Sequence, residues 1–126
     1  MSRKLVVPPF KDPKFSAADM SASITGTPSN IQFTDNIGVQ LFWTGGNPIG
    51  TITFQVSIDY NANSGSGTWS TIQSSPGTDL TVTPSGSAGN TYVDFNQLSA
   101  PWIRVIYTTA GGSSGNLTAT IGAKEV

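Results

Sequence analysis

Cysteine and histidine are both absent from the 126-residue chain, and charge is scarce: six Lys or Arg stand against seven Asp or Glu, a formal net charge of −1. The first absence excludes a thiol nucleophile, a disulfide frame, a His-based triad, a Cys/His zinc site and the usual haem ligands. With them goes most enzyme chemistry, so no catalytic residue and no cofactor is expected. Long apolar runs are also missing, and nothing approaches the length of a membrane span. Arg3 and Lys4 are followed only by Leu5, Val6 and Val7 before Pro8 and Pro9, too short for the apolar core of a signal peptide. The expectation is a protein that stays in the cytoplasm where it is made and has no membrane partner.

What is present is small and polar. Ser, Thr, Gly and Asn together make 54 of the 126 residues, a mixture that disfavours helix and favours short strands joined by turns. The length suits one domain with a single core. Period-two alternation confirms the class: in Thr51 to Ile58, Ile52, Phe54, Val56 and Ile58 face one side, while Thr51, Thr53, Gln55 and Ser57 face the other. Leu117 to Ile121 and Val39 to Trp43 repeat the pattern. Trp102 to Tyr107 is apolar on both faces, as in a central or interfacial strand. Weaker strands are expected at 22–25, 31–34, 68–73, 79–83 and 91–96, with turn-rich clusters between them and no helix. Eight or nine short strands at this spacing predict an all-β fold, an antiparallel β-sandwich of jelly-roll type.

Charge divides the chain. Residues 1–15 hold Arg3, Lys4, Lys11 and Lys14 against Asp12, a balance of +3, and three of the eight prolines; residues 16–126 carry −4. Each proline removes a backbone donor and holds its predecessor extended. The first segment is therefore read as an extended docking arm, with Lys4, Leu5, Val6, Val7, Pro8, Pro9 and Phe10 as its contact residues on another subunit or protein; a solvated basic tail is the alternative. The β-sandwich domain is placed at 16–126. Four cations without an aromatic stacking repeat, set on an acidic body, argue against a nucleic-acid partner.

Few residues suggest a site. Asp59, Asn61 and Asn63 resemble the opening of a calcium loop, but the sixth position is Ser64 instead of Gly and the twelfth is Ser70 instead of Glu, so a solvated hairpin loop is the better reading and no metal is assigned. Asp59, Asp79 and Asp94 have no spacing that implies a glycosidase-type carboxylate pair. Trp43, Trp69 and Trp102 with Tyr60, Tyr92 and Tyr107 are a candidate sugar-stacking platform. Trp43 and Trp69 are nevertheless expected in the core, whereas Trp102 and Tyr60 are expected at a surface or subunit contact. The rival glycan-binding reading rests on aromatics near the 60s loop and on Trp102. Arg104, alone in an apolar strand, needs a partner, and Asp94 is expected to form its ion pair. The Asn116-Leu117-Thr118 sequon is expected to be idle.

The blocks Gly50–Asp59, Gly67–Ile72, Val93–Leu98, Pro101–Thr108 and Gly115–Lys124 resemble small β-sandwich proteins of tailed-bacteriophage virions and their decoration or fibre-head modules. That resemblance implies a non-enzymatic virion component made in the host cytoplasm and often trimeric. Its implied partners are other virion proteins, either major capsid or tail and fibre subunits. The same blocks are more distantly similar to discoidin-type sandwiches, in which a strand ending in Ser-x-Asp and a following Trp precede a late strand carrying Arg. Those modules imply glycan binding through end loops. Their terminus-joining cysteines are missing here, and no ligand residue is transferred.

Overall fold

The computed structural model describes residues 6–32, 34–96 and 98–124. Lys4 and Leu5 of the expected arm lie outside them. The chain is an antiparallel β-sandwich. Its strands are β1 (Val6–Lys11), β2 (Ala18–Asp19), β3 (Ile24–Thr25), β4 (Ser29–Asn30), β5 (Asn36–Thr44), β6 (Gly50–Ser57), β7 (Ser70–Thr71), β8 (Gln73–Ser75), β9 (Thr78–Asp79), β10 (Ala88–Phe95), β11 (Trp102–Thr109) and β12 (Asn116–Lys124). A single 3₁₀ turn spans Pro13–Phe15. The first sheet runs β1-β12-β5-β10, with β2 also on β12. The second runs β3-β11-β6-β7, with β4 also on β11.

The core forms where the alternating apolar sets of the two sheets meet. β5 contributes Ile37, Val39, Leu41 and Trp43, β12 contributes Leu117, Ala119, Ile121 and Ala123, and the second sheet answers with Ile52, Phe54, Ile103, Val105 and Tyr107. Phe54 and Phe95 meet edge to face across the sandwich at 5.3 Å. The Tyr107 hydroxyl is satisfied inside: it lies 3.0 Å from the carbonyls of Met20 and Ile49 and 2.7 Å from Ser113 Oγ. The buried Trp43 donates its indole N–H to the Ser85 carbonyl.

The expected boundary after residue 15 is not a domain boundary. Residues 6–11 are extended, as the prolines require, but they pair with β12 of their own domain: Val6 opposite Lys124, Val7 opposite Ala123, Phe10 opposite Ile121 and Lys11 opposite Thr120. Pro8 and Pro9 sit at a bulge on this edge strand, where missing N–H groups leave no ladder bond unmade. Phe10 packs on the core and Phe15 is wholly buried within it. Asp12, also wholly buried, accepts from the Lys14 amide at 2.9 Å and from the Thr27 amide at 3.2 and 3.1 Å. Sequence reasoning missed this because the pattern of a short edge strand with two prolines is that of a tail.

Two further expectations are revised. β6 ends at Ser57, and Ile58, assigned by period to the core face, is 79% exposed. The segment 31–34 is not a strand in its described residues; β4 precedes it at Ser29–Asn30, and Ile31 is buried in a turn closed by Thr34 Oγ1 donating to the Ile31 carbonyl.

Candidate functional sites on the two sheet faces

On the outer face of the second sheet, β11 directs Trp102, Arg104 and Ile106 away from the core. They stand opposite Ser57, Gln55 and Thr53 of β6. The loop after β6 folds back over this face. Asp59 fixes the loop by accepting from the Thr68 amide at 2.7 Å and from Ser57 Oγ at 3.0 Å. These bonds hold its carboxyl below the usual carboxylate range, the Thr68 amide contributing most. Asn61 turns its side-chain oxygen to the amides of Asn63 and Ser64. The Asp59 and Asn61 oxygens considered for a cation thus serve the turn itself, and Asp59 is the only carboxylate among the three candidates.

The folded loop brings Tyr60 against Trp102 (ring centroids 4.9 Å) and Trp69 (5.3 Å). Arg104 lies over Trp69 with its guanidinium carbon 4.2 Å from the ring centroid. Its Nε and Nη2 both donate to Gln55 Oε1, at 2.9 and 2.7 Å, and Gln55 Nε2 donates to Thr71 Oγ1 at 3.4 Å. Burial pushes the Arg104 pKa down, with Tyr60 opposing. Trp102 and Tyr60, singled out separately from the sequence, therefore share one cluster. Trp69 joins them at the surface; it is not in the core as expected. The expected Arg104–Asp94 pair does not exist. Asp94 is on β10, on the outer face of the opposite sheet, and the thickness of a sandwich, about 10 Å between sheets, separates the two faces. Arg104 answers its charge cost with an amide fork and a π face instead. All three rings of the cluster are half-buried against one another, which makes it a small satellite core that fastens the 59–69 loop.

The outer face of the first sheet is more open; from the sequence Tyr92 enters only within the platform of six aromatics, and Phe42 is not singled out. Phe42 of β5 and Tyr92 of β10 are 47% and 64% exposed, and the register makes them diagonal neighbours: Phe42 is opposite Asn90 and Tyr92 opposite Gln40. Beside them lies a groove of about 510 Å³ whose floor is Gly38 and Gly122, with Tyr92, Asp94, Gln40 and Thr120 around it. The Tyr92 ring lies across Gly38: a Cβ built on Gly38 would come within 2.7 Å of Tyr92 Cε1. The Tyr92 hydroxyl is 3.4 Å from Asp94 Oδ1. Desolvation, then the Asp94 charge and this hydrogen bond, raise the Tyr92 pKa. The signal was present in the sequence: Phe42 and Tyr92 are the out-of-phase residues of strands whose in-phase set is Leu41, Trp43, Thr91 and Val93.

No protein-family model and no curated protein sequence matches this chain. Solved structures do. The SPBc2 prophage-derived protein YomS overlays with a TM-score of 0.60 at 12% identity, covering 99% of this chain and 97% of that one. Chitosan-binding module 1 of a chitosanase/glucanase from Paenibacillus sp. IK-5 overlays at 0.52 with 18% identity, covering 94% and 93%. At these identities the likeness establishes the fold, an antiparallel β-sandwich, and that fold also serves a carbohydrate-binding module.

Among the described residues no group of three acidic, His or Cys side chains could hold a metal, and no helix is long and apolar enough to cross a membrane. The chemistry on both faces is that of contact: aromatic rings, amides, hydroxyls and isolated charges.

Proposed function

We propose that this chain is a non-enzymatic structural module of a phage-type virion, a decoration, cement or fibre-associated protein that docks through its N-terminal strand. The observation that carries the reading is the character of β1. Among the described residues it is an edge strand of the sandwich, paired with β12, and it lies within the cationic residues 1–15 of an otherwise acidic chain. The whole-length likeness to a prophage-derived protein supports it. Pro8 and Pro9 interrupt the row of edge donors, which discourages strand addition. Docking therefore works through side chains, with the exposed Lys11 and Lys14 meeting an acidic partner surface on a capsid, tail or fibre subunit. At the other end of the sheet, β10 offers an eight-residue edge without proline, the surface through which copies of the chain associate, a trimer being the favoured state.

The test is mass spectrometry of particles banded on a density gradient. A fixed number of copies per major capsid subunit is expected; absence from the particle band, with the protein left among soluble fractions, would refute the virion role. The double variant Lys11→Glu, Lys14→Glu should fold normally and be lost from particles. Undiminished incorporation would exclude docking through this segment.

A second reading, glycan binding, is favoured by one observation: two large exposed aromatics, Phe42 and Tyr92, share the open face of the first sheet. The likeness to a chitosan-binding module supports it. Calorimetric titration with a sugar panel tests it, and flat titrations throughout would remove it.

A further inference from the structure

Neither backbone conformation nor crowding among the described residues requires Gly122 to be glycine. It lies within β12, which is paired on both sides, by β1 and by β5, and a glycine inside a strand weakens it. Its φ is not in the left-handed region, and among the described residues a Cβ added to it would meet nothing within 4 Å. Gly38, its direct partner across the ladder, differs: the Tyr92 ring occupies the space its side chain would take. A glycine inside a strand marks a bulge or a place where a ligand or another backbone comes close; the β1 bulge lies beside Gly122, and the outer face above it is open among the described residues.

The register shows the shape of that approach. Asp94, Gly38 and Gly122 fall in one row across three strands, and the β1 bulge places Pro8 and Pro9 opposite Gly122 at the end of the row. The adjoining row reads Tyr92, Gln40, Thr120, Lys11. The result is a straight trough perpendicular to the strands and about 14 Å long, three interstrand spacings. Gly122 is its open floor, the Tyr92 ring covers Gly38 and is 64% exposed, and Gln40, Thr120 and Lys11 continue one side as polar groups.

We infer that this trough binds a short, neutral, β-linked oligosaccharide of pyranose units. The inference rests on the glycan-binding reading and gives it a place. A pyranose is the ligand whose chemistry alternates as the trough does. Its C–H face stacks on Tyr92 and lies against the glycine floor, while its equatorial hydroxyls reach the Asp94 carboxylate, the Gln40 amide and the Thr120 hydroxyl. Straightness selects the extended ribbon of a β-1,4 chain over the coiled α-1,4 chain. The aromatic cluster on the opposite face is not the site, because its three rings and Arg104 are already packed on one another.

The experiment is isothermal titration of the full chain with cello-, N-acetylated chito- and malto-oligosaccharides, repeated with three variants whose folding is checked by thermal melting. Gly122→Val raises a side chain from the floor, its Cβ meeting nothing within 4 Å among the described residues, and adds a strand-favouring residue, so it should melt no lower than the parent and bind at least about tenfold more weakly. Tyr92→Ala should weaken binding to a similar degree, and Trp102→Ala should leave it unchanged. Binding abolished by Trp102→Ala but indifferent to Gly122→Val would overturn the location while leaving the glycan reading intact. Equal binding of malto-oligosaccharides would overturn the extended-chain assignment, and no binding by any sugar would remove both the inference and the reading beneath it.

Discussion

Replacing Asp12 by alanine is the sharpest test of whether the N-terminal segment belongs to the folded unit. The carboxylate is wholly buried and accepts from two backbone amides in different parts of the chain. The Lys14 amide, at the start of the 3₁₀ turn, is the local one, and losing a cap of this kind costs about 1 kcal/mol. The Thr27 amide is fifteen residues away. Leaving such a donor without a charged acceptor in a part-buried place costs about 2 kcal/mol more. A total of about 3 kcal/mol, divided by the unfolding entropy of a chain of this length, lowers Tm by about 10 °C. Asp12→Asn keeps one acceptor oxygen but turns an N–H₂ toward the amides, and it should fall between alanine and the parent. Thermal melting followed by tryptophan fluorescence gives the magnitude, and hydrogen exchange gives the place: the Thr27 amide, protected in the parent, should exchange in the alanine variant. A Tm within about 2 °C of the parent, well below the loss worked out above, would refute the reasoning and return residues 6–15 to the status of a tail.

Other consequences are as direct. Arg104→Lys keeps the charge but loses both the fork to Gln55 and the planar stack on Trp69; a loss of about 1–2 kcal/mol in urea melts is expected, with a changed tryptophan emission, whereas an unchanged spectrum would separate Arg104 from Trp69 in solution. Asp94→Asn removes the charge beside Tyr92, so the phenol, followed by ultraviolet difference spectroscopy, should titrate at lower pH than in the parent yet stay above its ordinary 10.0, because the desolvation that contributes most is unaltered. The depressed Asp59 pKa means that its ionised form is favoured by the fold: this contribution is present above the ordinary value of 3.8 and fades as pH falls through the lower, folded value. The Thr68 amide resonance should therefore shift with a midpoint below pH 3.8, and a midpoint at or above it would break the Asp59–Thr68 bond as drawn. Gly26→Ala should destabilise, since its new methyl would come within 2.6 Å of Asp12 Oδ2 and of the Val105 carbonyl; undisturbed melting would contradict the packing there.

Local chemistry decided a large share of this molecule. The period-two runs around residues 39–43, 51–58, 102–107 and 117–121 became β5, β6, β11 and β12, four of the five longest strands among the described residues, because alternation matches the pleat wherever one face is wet. The lack of His and Cys, the turn-rich composition and the cationic N-terminus were equally legible. Phe42 and Tyr92 could have been placed on an outer face by phase alone, although their meeting on adjacent strands could not.

Everything that required knowing which strand lies beside which belonged to the tertiary structure. Pairing of β1 with β12 joins residues more than a hundred positions apart, and no local pattern distinguishes an extended segment that finds its own sheet from one that finds a neighbour's. The partner of Arg104 was misjudged for the same reason: Asp94 and Arg104 are close in sequence, but the chain between them crosses from one sheet to the other, so the two side chains lie on opposite outer faces of the sandwich. Gly38 and Gly122 are unremarked in the sequence, eighty-odd positions apart, and only antiparallel register sets them side by side as a floor. The sequence by itself determined that the chain would make strands with one apolar face and little reactive chemistry, because propensity and alternation act within a few residues. Register and sheet order, which decide what a surface can hold, are set by burial of both apolar faces at once and emerge only when the sandwich closes.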